Sequence, residues 1–225
     1  MKDYIEKLRG SPELIRKRLA SYIDYFEGRR NVLDLACGRG EFLGLLKDSN
    51  IPAVGVDSDP DAIGTCRRAG YTVEESDIIE FLKNNSGFDG IMASQIVEHL
   101  DGPSAEELTL RCFEALRPGG IIVLVTLNPE NLTAITRTFW LDPTHVRPYP
   151  LDLLIELLKS VGFEIVAGGG APATLPQGIR AMIKRRFMAP VLRLIGLGQL
   201  RQHLYSAHDI FVIAQKPGIG NEDRA

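Results

Sequence analysis

Val32-Leu33-Asp34-Leu35-Ala36-Cys37-Gly38-Arg39-Gly40-Glu41-Phe42 is the stretch on which the fold turns. Val32 to Leu35 form a short apolar run broken by one acid, which predicts a buried parallel strand. Gly38 and Gly40 allow a turn too tight for side chains. From Glu41 onward the apolar residues Phe42, Leu43, Leu45 and Leu46 return at helical spacing. A strand, a glycine turn and a helix N-terminus in that order let backbone N–H groups approach a nucleotide-type ligand closely.

The residues around the turn narrow the ligand. A dinucleotide fingerprint needs a third glycine where this chain has Leu43, and Gly44 comes one residue late. A phosphate-cradling loop needs a Gly-Lys-Ser/Thr ending, which is absent. Instead, the second strand, Ala53-Val54-Gly55-Val56-Asp57, ends in an acid that can accept from both ribose hydroxyls of an adenosine. A third strand, Tyr71 to Glu74, leads to Ser76-Asp77-Ile78. Asp77 can accept from an adenine amino group there, with Ile78 against the ring face.

With these residues the chain resembles the class I S-adenosylmethionine (SAM)-dependent methyltransferases. The resemblance rests on Asp34-x-Ala36-x-Gly38-x-Gly40, Asp57, Ser76-Asp77, the strand Phe88 to Ser94, and Leu116-Arg117-Pro118-Gly119-Gly120, all in the family's order. It covers roughly Asn31 to Leu127 and runs more loosely to the C-terminus. It implies an α/β, Rossmann-like fold whose seven-stranded sheet is parallel except for the last strand, with helices on both faces. It implies SAM as methyl donor and S-adenosylhomocysteine as product. It assigns Asp34, Ala36, Gly38, Arg39, Gly40, Asp57, Ser58, Asp77, Ile78, Ser94 and Gln95 to the donor site.

Composition fits that class. A chain of 225 residues with 44% apolar and 24% charged residues and a net charge of −3 suits one α/β domain. The acidic balance argues against nucleic-acid binding. Cys37, Cys66 and Cys112 form no CxxC pattern and predict reduced thiols of a cytoplasmic protein. No apolar signal region opens the chain, and no stretch predicts a membrane span.

Read in order, Ser11-Pro12-Glu13 starts a helix with Leu14, Ile15, Leu19, Tyr22, Ile23 and Phe26 on one face. Residues 1–30 are either a helical lid over the donor or a helix packed on the sheet edge. Strands are predicted near 31–36, 52–57, 71–75, 88–94 and 120–127, and helices near 41–49, 60–69, 77–84 and 104–116. Alternation of this kind gives right-handed crossovers and a mostly parallel sheet. After the fourth strand, Glu98-His99 reads either as an acid/base pair or as an orienting element. A helix over 151–161 and a strand over 163–166 follow, then Gly168-Gly169-Gly170 opens an insertion, and 207–216 is the last strand.

The acceptor is expected at the loop 128–150, where three prolines stiffen Phe139 to Pro150. Asn128 to Leu132 and Phe139 to Pro148 look like the methyltransferase domains of bacterial polysaccharide enzymes, including those that terminate O-antigen chains. That resemblance implies a sugar hydroxyl or a terminal phosphate of a cell-surface glycan as acceptor. The alternatives are a quinone- or phenol-type small-molecule acceptor, or a SAM-binding subunit without activity. His145 is the candidate base, because an unperturbed histidine titrates near neutrality, and Arg147 is the candidate acceptor clamp. No His/Asp/Glu cluster has ligand spacing, so no metal is expected. The insertion 171–207 is basic and amphipathic, and its part 178–204 can lie on an anionic membrane from the inner face, cover the site, or form a homodimer face. One domain is thus expected over 1–217, with 218–225 a disordered tail.

Overall fold

The structure, a computed structural model, describes residues 10–174, 203 and 206–218. Seven strands form one sheet: β1 (Val32–Leu35), β2 (Ala53–Asp57), β3 (Val73–Glu75), β4 (Phe88–Ser94), β5 (Leu116–Leu127), β6 (Glu164–Gly170) and β7 (Asp209–Gln215). Their order is β3-β2-β1-β4-β5-β7-β6. The pairs from β3 through to β5 are parallel, and β7 runs antiparallel to β5 and β6. This is the Rossmann-like sheet that the resemblance implies.

The strands are joined and flanked by helices α1 (Pro12–Leu19), α2 (Glu41–Asp48), α3 (Pro60–Arg68), α4 (Ile78–Asn84), α5 (Gly102–Ala115) and α6 (Leu151–Ser160). Their starts follow local chemistry. Ser11, Asp59, Asp77 and Asp101 each accept a backbone N–H of the first turn, with proline in the first turn of α1, α3 and α5.

Alternation along the strands builds two apolar layers. Leu33, Leu35, Ile122 and Leu124 pack on one face with α5 and α6 residues such as Leu108, Leu154 and Leu158. Val32, Ile121, Val123 and Val125 pack on the other with Phe26, Phe42 and Leu46. Full burial of a side chain such as Phe26 stabilises the fold by about 1.5–3 kcal/mol.

The chain leaves β1 toward β2 and β3, then returns to β4 on the other side of β1. Adjacent C-terminal strand ends therefore diverge between β1 and β4, the switch point at which such sheets bind ligands.

Some elements differ from expectation. Gly168 to Gly170 do not open an insertion; they extend β6, paired with Val212, Phe211 and Ile210. The helix expected at 104 begins at Gly102, and β5 begins at Leu116 rather than 120. The loop 128–150 is not wholly irregular. It carries a π-helical segment, Ala134–Thr138, and a helical turn, Phe139–Leu141. The N-terminal helix changes to a 3₁₀ segment over Ala20–Phe26. The basic segment expected at 178–204, apart from His203, and the tail from 219 lie outside the described residues. Among the described residues no helix is long and apolar enough to cross a membrane.

Candidate functional site

A cavity of about 1150 Å³ opens at the switch point. Two residues that bound it stand in the left-handed backbone region without being glycine: Ala36, just past β1, with φ +50°, and Gln95, just past β4, with φ +56°. An L-residue pays roughly 1–2 kcal/mol for that conformation, and such strain concentrates where a ligand is held. Gly40 at φ +80° closes the turn, and its N–H donates to the Cys37 carbonyl at 2.9 Å. A Cβ there would lie 2.7 Å from the Tyr71 ring and 2.9 Å from Cys66 Sγ. Cys66 in turn donates to the Gly38 carbonyl at 3.3 Å, so the back of the turn is filled with side chains.

Asp57 ties two turns together. Its Oδ2 accepts from Gly38 N and its Oδ1 from Asp59 N, both at 2.8 Å. A carboxylate has about four acceptor sites, so capacity remains for two hydroxyls. Asp77 caps α4, its Oδ1 accepting from Ile79 N and Glu80 N at 2.9 and 3.0 Å. One of its oxygens is therefore structural, and only the other is left for a ligand amine.

Asp34 is buried, and its Oδ2 has no hydrogen-bond partner. Burial, with further pushes from Cys66, Glu41 and Asp57, holds its carboxyl well above the usual range. Among the described residues, Asp34, Glu41, Asp57, Asp59, Asp61 and Asp77 line the cavity at this end together with Arg18 and Arg39. Arg39 Nε is paired with Glu41 at 2.7 Å. A pyrophosphate would be placed among carboxylates here. SAM fits instead: its sulfonium and ammonium are cationic, and its adenosine offers two ribose hydroxyls and an amine to the acids.

The other end is built from segments far apart in sequence. The loop after β5 is tied to the chain before β7 by Asn128 Nδ2 to the Ala207 carbonyl and Asn131 Nδ2 to the Ser206 carbonyl, both at 2.9 Å. His208 Nδ1 donates to the buried Asp209 Oδ1 at 2.9 Å, and Nε2 lies 3.1 Å from Thr138 Oγ1. Further along, the N–H groups of Val146 and Arg147 donate to the Glu98 carbonyl at 2.8 and 3.3 Å. The buried Tyr149 shares its hydroxyl proton between the Leu100 and Asp101 carbonyls, at 2.9 Å each. These bonds lay the loop along the 97–101 turn. They bring the His145 ring edge-to-face with His99, centroids 4.6 Å apart.

Glu98 lies against both histidines. Its Oε2 accepts from Thr126 Oγ1 at 2.7 Å, while Oε1 is buried without a hydrogen bond. Burial, opposed by the hydrogen bonds it accepts, pushes this carboxyl up to about 7.

Of the donor residues expected from sequence, Asp34, Ala36, Gly38, Arg39, Asp57, Ser58, Asp77, Ile78, Ser94 and Gln95 line the cavity. Gly40 does not; it supports the turn from behind. His145 lines the cavity and Arg147 does not. The Arg147 guanidinium sits 5.0 Å over the Tyr149 ring, which holds it away from the place expected for an acceptor clamp. Residues that sequence reasoning passed over also line the cavity: Arg137, Thr138, His208 and Asp209. The adjacent His-Asp pair opening the last strand was a visible signal. Ile15, Arg18, Leu19 and Tyr22 from the N-terminal segment form part of the wall, and Tyr22, Ile23 and Phe26 of the same segment pack on the sheet.

Fold and cavity together define a class I methyltransferase domain. Comparison with known proteins agrees. A family model described as "Methyltransferase domain" matches residues 4–167, so the chain belongs to that family, and SAM is its methyl donor. The crystal structure of a SAM-dependent methyltransferase from Archaeoglobus fulgidus is 36% identical, with TM-score 0.78, covering 94% of this chain and 97% of that one. A Mycolicibacterium smegmatis protein named as a probable SAM-dependent methyltransferase is 30% identical over 140 residues, 60% of this chain and 52% of its own length. A ubiquinone biosynthesis O-methyltransferase of Cereibacter sphaeroides is 30% identical over 160 residues, 63% of this chain and 62% of its own length. The chain thus spans about half the length of the first of these curated relatives.

Proposed function

We propose that this protein transfers the methyl group of SAM to a hydroxyl oxygen of a small ring-bearing acceptor, of phenol or quinol type. The observation that carries the reading is the two-ended cavity. Carboxylates gather at one end, and histidines stand among Leu127, Leu141 and Val125 at the other. Its volume of about 1150 Å³ exceeds the roughly 300–1,000 Å³ usual for one ligand, leaving room for donor and acceptor together. The relatives named as ubiquinone biosynthesis O-methyltransferases fit such an acceptor.

SAM supplies an electrophilic methyl carbon when bound. The chain's own contribution is placement and proton removal. Asp57 and Asp77 hold the adenosine end, and the strained backbone at Ala36 and Gln95 borders the cationic end. Alignment of donor and acceptor within about 3–3.5 Å contributes on the order of 7–11 kcal/mol. His208 is the proposed proton acceptor: Asp209 holds Nδ1–H, so the neutral ring presents its Nε2 lone pair beside Thr138. His145 is the competing base, since the Phe139 carbonyl accepts from its Nδ1 at 2.8 Å and leaves Nε2 as the lone pair.

A glycan hydroxyl is the second reading. Trp140, 72% exposed beside the cavity-lining Leu141, offers a stacking face for a sugar ring. Arg147, the clamp expected for a phosphate acceptor, is turned to Tyr149 instead.

The test is SAM turnover with a panel of catechols, phenols, quinols, nucleotide sugars and glycan fragments. His208→Ala should lower kcat by about 10²–10⁴-fold and leave SAM affinity unchanged. Unchanged kcat in His208→Ala would remove His208 as the proton acceptor. Turnover on glycans and none on ring hydroxyls would favour the second reading.

A further inference from the structure

We infer that Glu98, His99 and His145 form a binding site for one divalent first-row transition-metal ion on the acceptor side of the cavity. This deepens the O-methyltransferase reading and rests on it only for the ion's purpose. One ligand atom from each residue lies within 4.8 Å of the others. Bonds of ~2.0–2.2 Å from an ion to nitrogen and oxygen put neighbouring ligand atoms about 3 Å apart, so small side-chain rotations close the set.

Hydrogen bonds prepare both imidazoles for such an ion. The Phe139 carbonyl can only accept, so His145 Nδ1 carries the proton. Thr144 Oγ1 donates to Asp142 Oδ1 at 2.6 Å. Its contact with His99 Nδ1 at 2.9 Å must therefore be one in which the imidazole donates. In both neutral rings Nε2 is then the lone-pair nitrogen. A backbone carbonyl or a carboxylate-linked donor behind each ring is how proteins fix the tautomer of a ligating histidine. Asp142 Oδ1 also accepts from the Thr144 amide at 2.9 Å, so it serves as the acceptor here.

The third ligand is in place. Glu98 Oε1 is buried without a partner, while Oε2 is anchored by Thr126. A lone buried carboxylate oxygen beside two imidazoles carries an unmet cost that a cation removes. Two nitrogens and one carboxylate suit zinc, manganese, iron or cobalt, and three protein ligands leave positions open. His99 and His145 line the cavity, so an acceptor oxygen can fill an open position. There the ion would orient that oxygen and lower the pKa of its hydroxyl. His99 and Glu98 adjoin in sequence, but His145 is brought to them only by the loop's bonds to the Glu98 carbonyl.

Metal-stripped full-length protein is titrated with Co²⁺, followed by visible absorption, and then with Zn²⁺ by calorimetry. One ion per chain is expected, with Co²⁺ bands of nitrogen ligation that Zn²⁺ abolishes. His145→Ala and Glu98→Gln should each weaken binding by more than ~100-fold, and Thr144→Val by ~10–100-fold. His203→Ala, a histidine whose Nδ1 bonds the Glu130 carbonyl away from the cavity, should change nothing. Thermal melts check each variant, and Glu98→Asp, which keeps the carboxylate, should retain partial affinity if Glu98→Gln unfolds. Absence of Co²⁺ bands in the wild type, or equal affinity in the His145→Ala and wild-type proteins, overturns the site. S-adenosylhomocysteine binding is measured in parallel. If it binds and Co²⁺ does not, only the ion site falls. If it does not bind, the donor reading falls, while the Co²⁺ bands alone still decide whether the ion site stands.

Discussion

The two ends of the cavity are built in different ways. The donor end is made by backbone: a turn of two glycines, two left-handed residues at adjacent strand ends, and acids that hold neighbouring amides before they hold a ligand. The acceptor end is made by side chains from 98–99, 138–145 and 208–209, joined by hydrogen bonds across the chain. A backbone site tolerates little change in any of its parts. A side-chain site can exchange its chemistry while the sheet beneath it stays the same, as the many functions hosted by one fold require.

The sharpest way to break this contrast is at Gly40. Its φ of +80° is strained for any L-residue, and a Cβ would press on the Tyr71 ring and Cys66 Sγ. Gly40→Ala is expected to cost about 3 kcal/mol of stability and to lower SAM affinity by at least ~100-fold, as the turn must move. Calorimetry with SAM and a thermal melt check both. Near-normal affinity would mean that the turn is not what holds the donor.

The same contrast decides what was legible in the sequence. The donor end lies within short segments that follow strands, so Asp34, Gly38, Asp57 and Asp77 could be placed by their distance from apolar runs. The parallel order followed from strand and helix alternation. The acceptor end could not be read in this way. His145 lies on a loop whose position is set by Tyr149 and by the amides of Val146 and Arg147, and no periodicity shows those bonds. The cluster of Glu98, His99 and His145 has no ligand spacing because it forms only on folding. Arg147 was misplaced for a related reason: a stiff loop fixes where the backbone goes, and its cation chose an aromatic face over the cavity. Gly168 to Gly170 misled as well, since three glycines suggest a turn, but β7 pairs them as strand.

A smaller effect is expected at Asp34. Burial raises its pKa above the usual value of about 4 that the unfolded chain shows. Over the window between the two values the folded protein keeps a proton that the unfolded chain has released. Stability of the ligand-free protein from this group therefore falls as pH rises from about 4 toward the folded value. Asp34→Asn cannot titrate and should flatten that slope, leaving the variant more stable than wild type above the window. The same change removes the negative charge that Asp34 can take up only when a cationic donor binds beside it, and should weaken SAM binding about 10-fold. Denaturant melts across pH, with and without SAM, separate the two. An unchanged slope would mean that Asp34 is charged in the folded protein.

Arg147 should give the smallest effect and the cleanest separation of loop from site. Its guanidinium over Tyr149 is worth roughly 0.5–1 kcal/mol at a partly exposed position. The backbone N–H groups of 146 and 147 do the positioning, and Arg147→Ala leaves both of them in place. The variant should lose about that much stability and keep kcat/KM within about two-fold. Arg147→Lys would keep the charge but lose the planar stack, so it should behave like the alanine variant. If Arg147→Ala instead raised the acceptor KM ten-fold or more with stability intact, and Arg147→Lys restored it, the cation would leave Tyr149 when the acceptor binds. The acceptor end would then be completed by a side chain that the ligand-free cavity does not include.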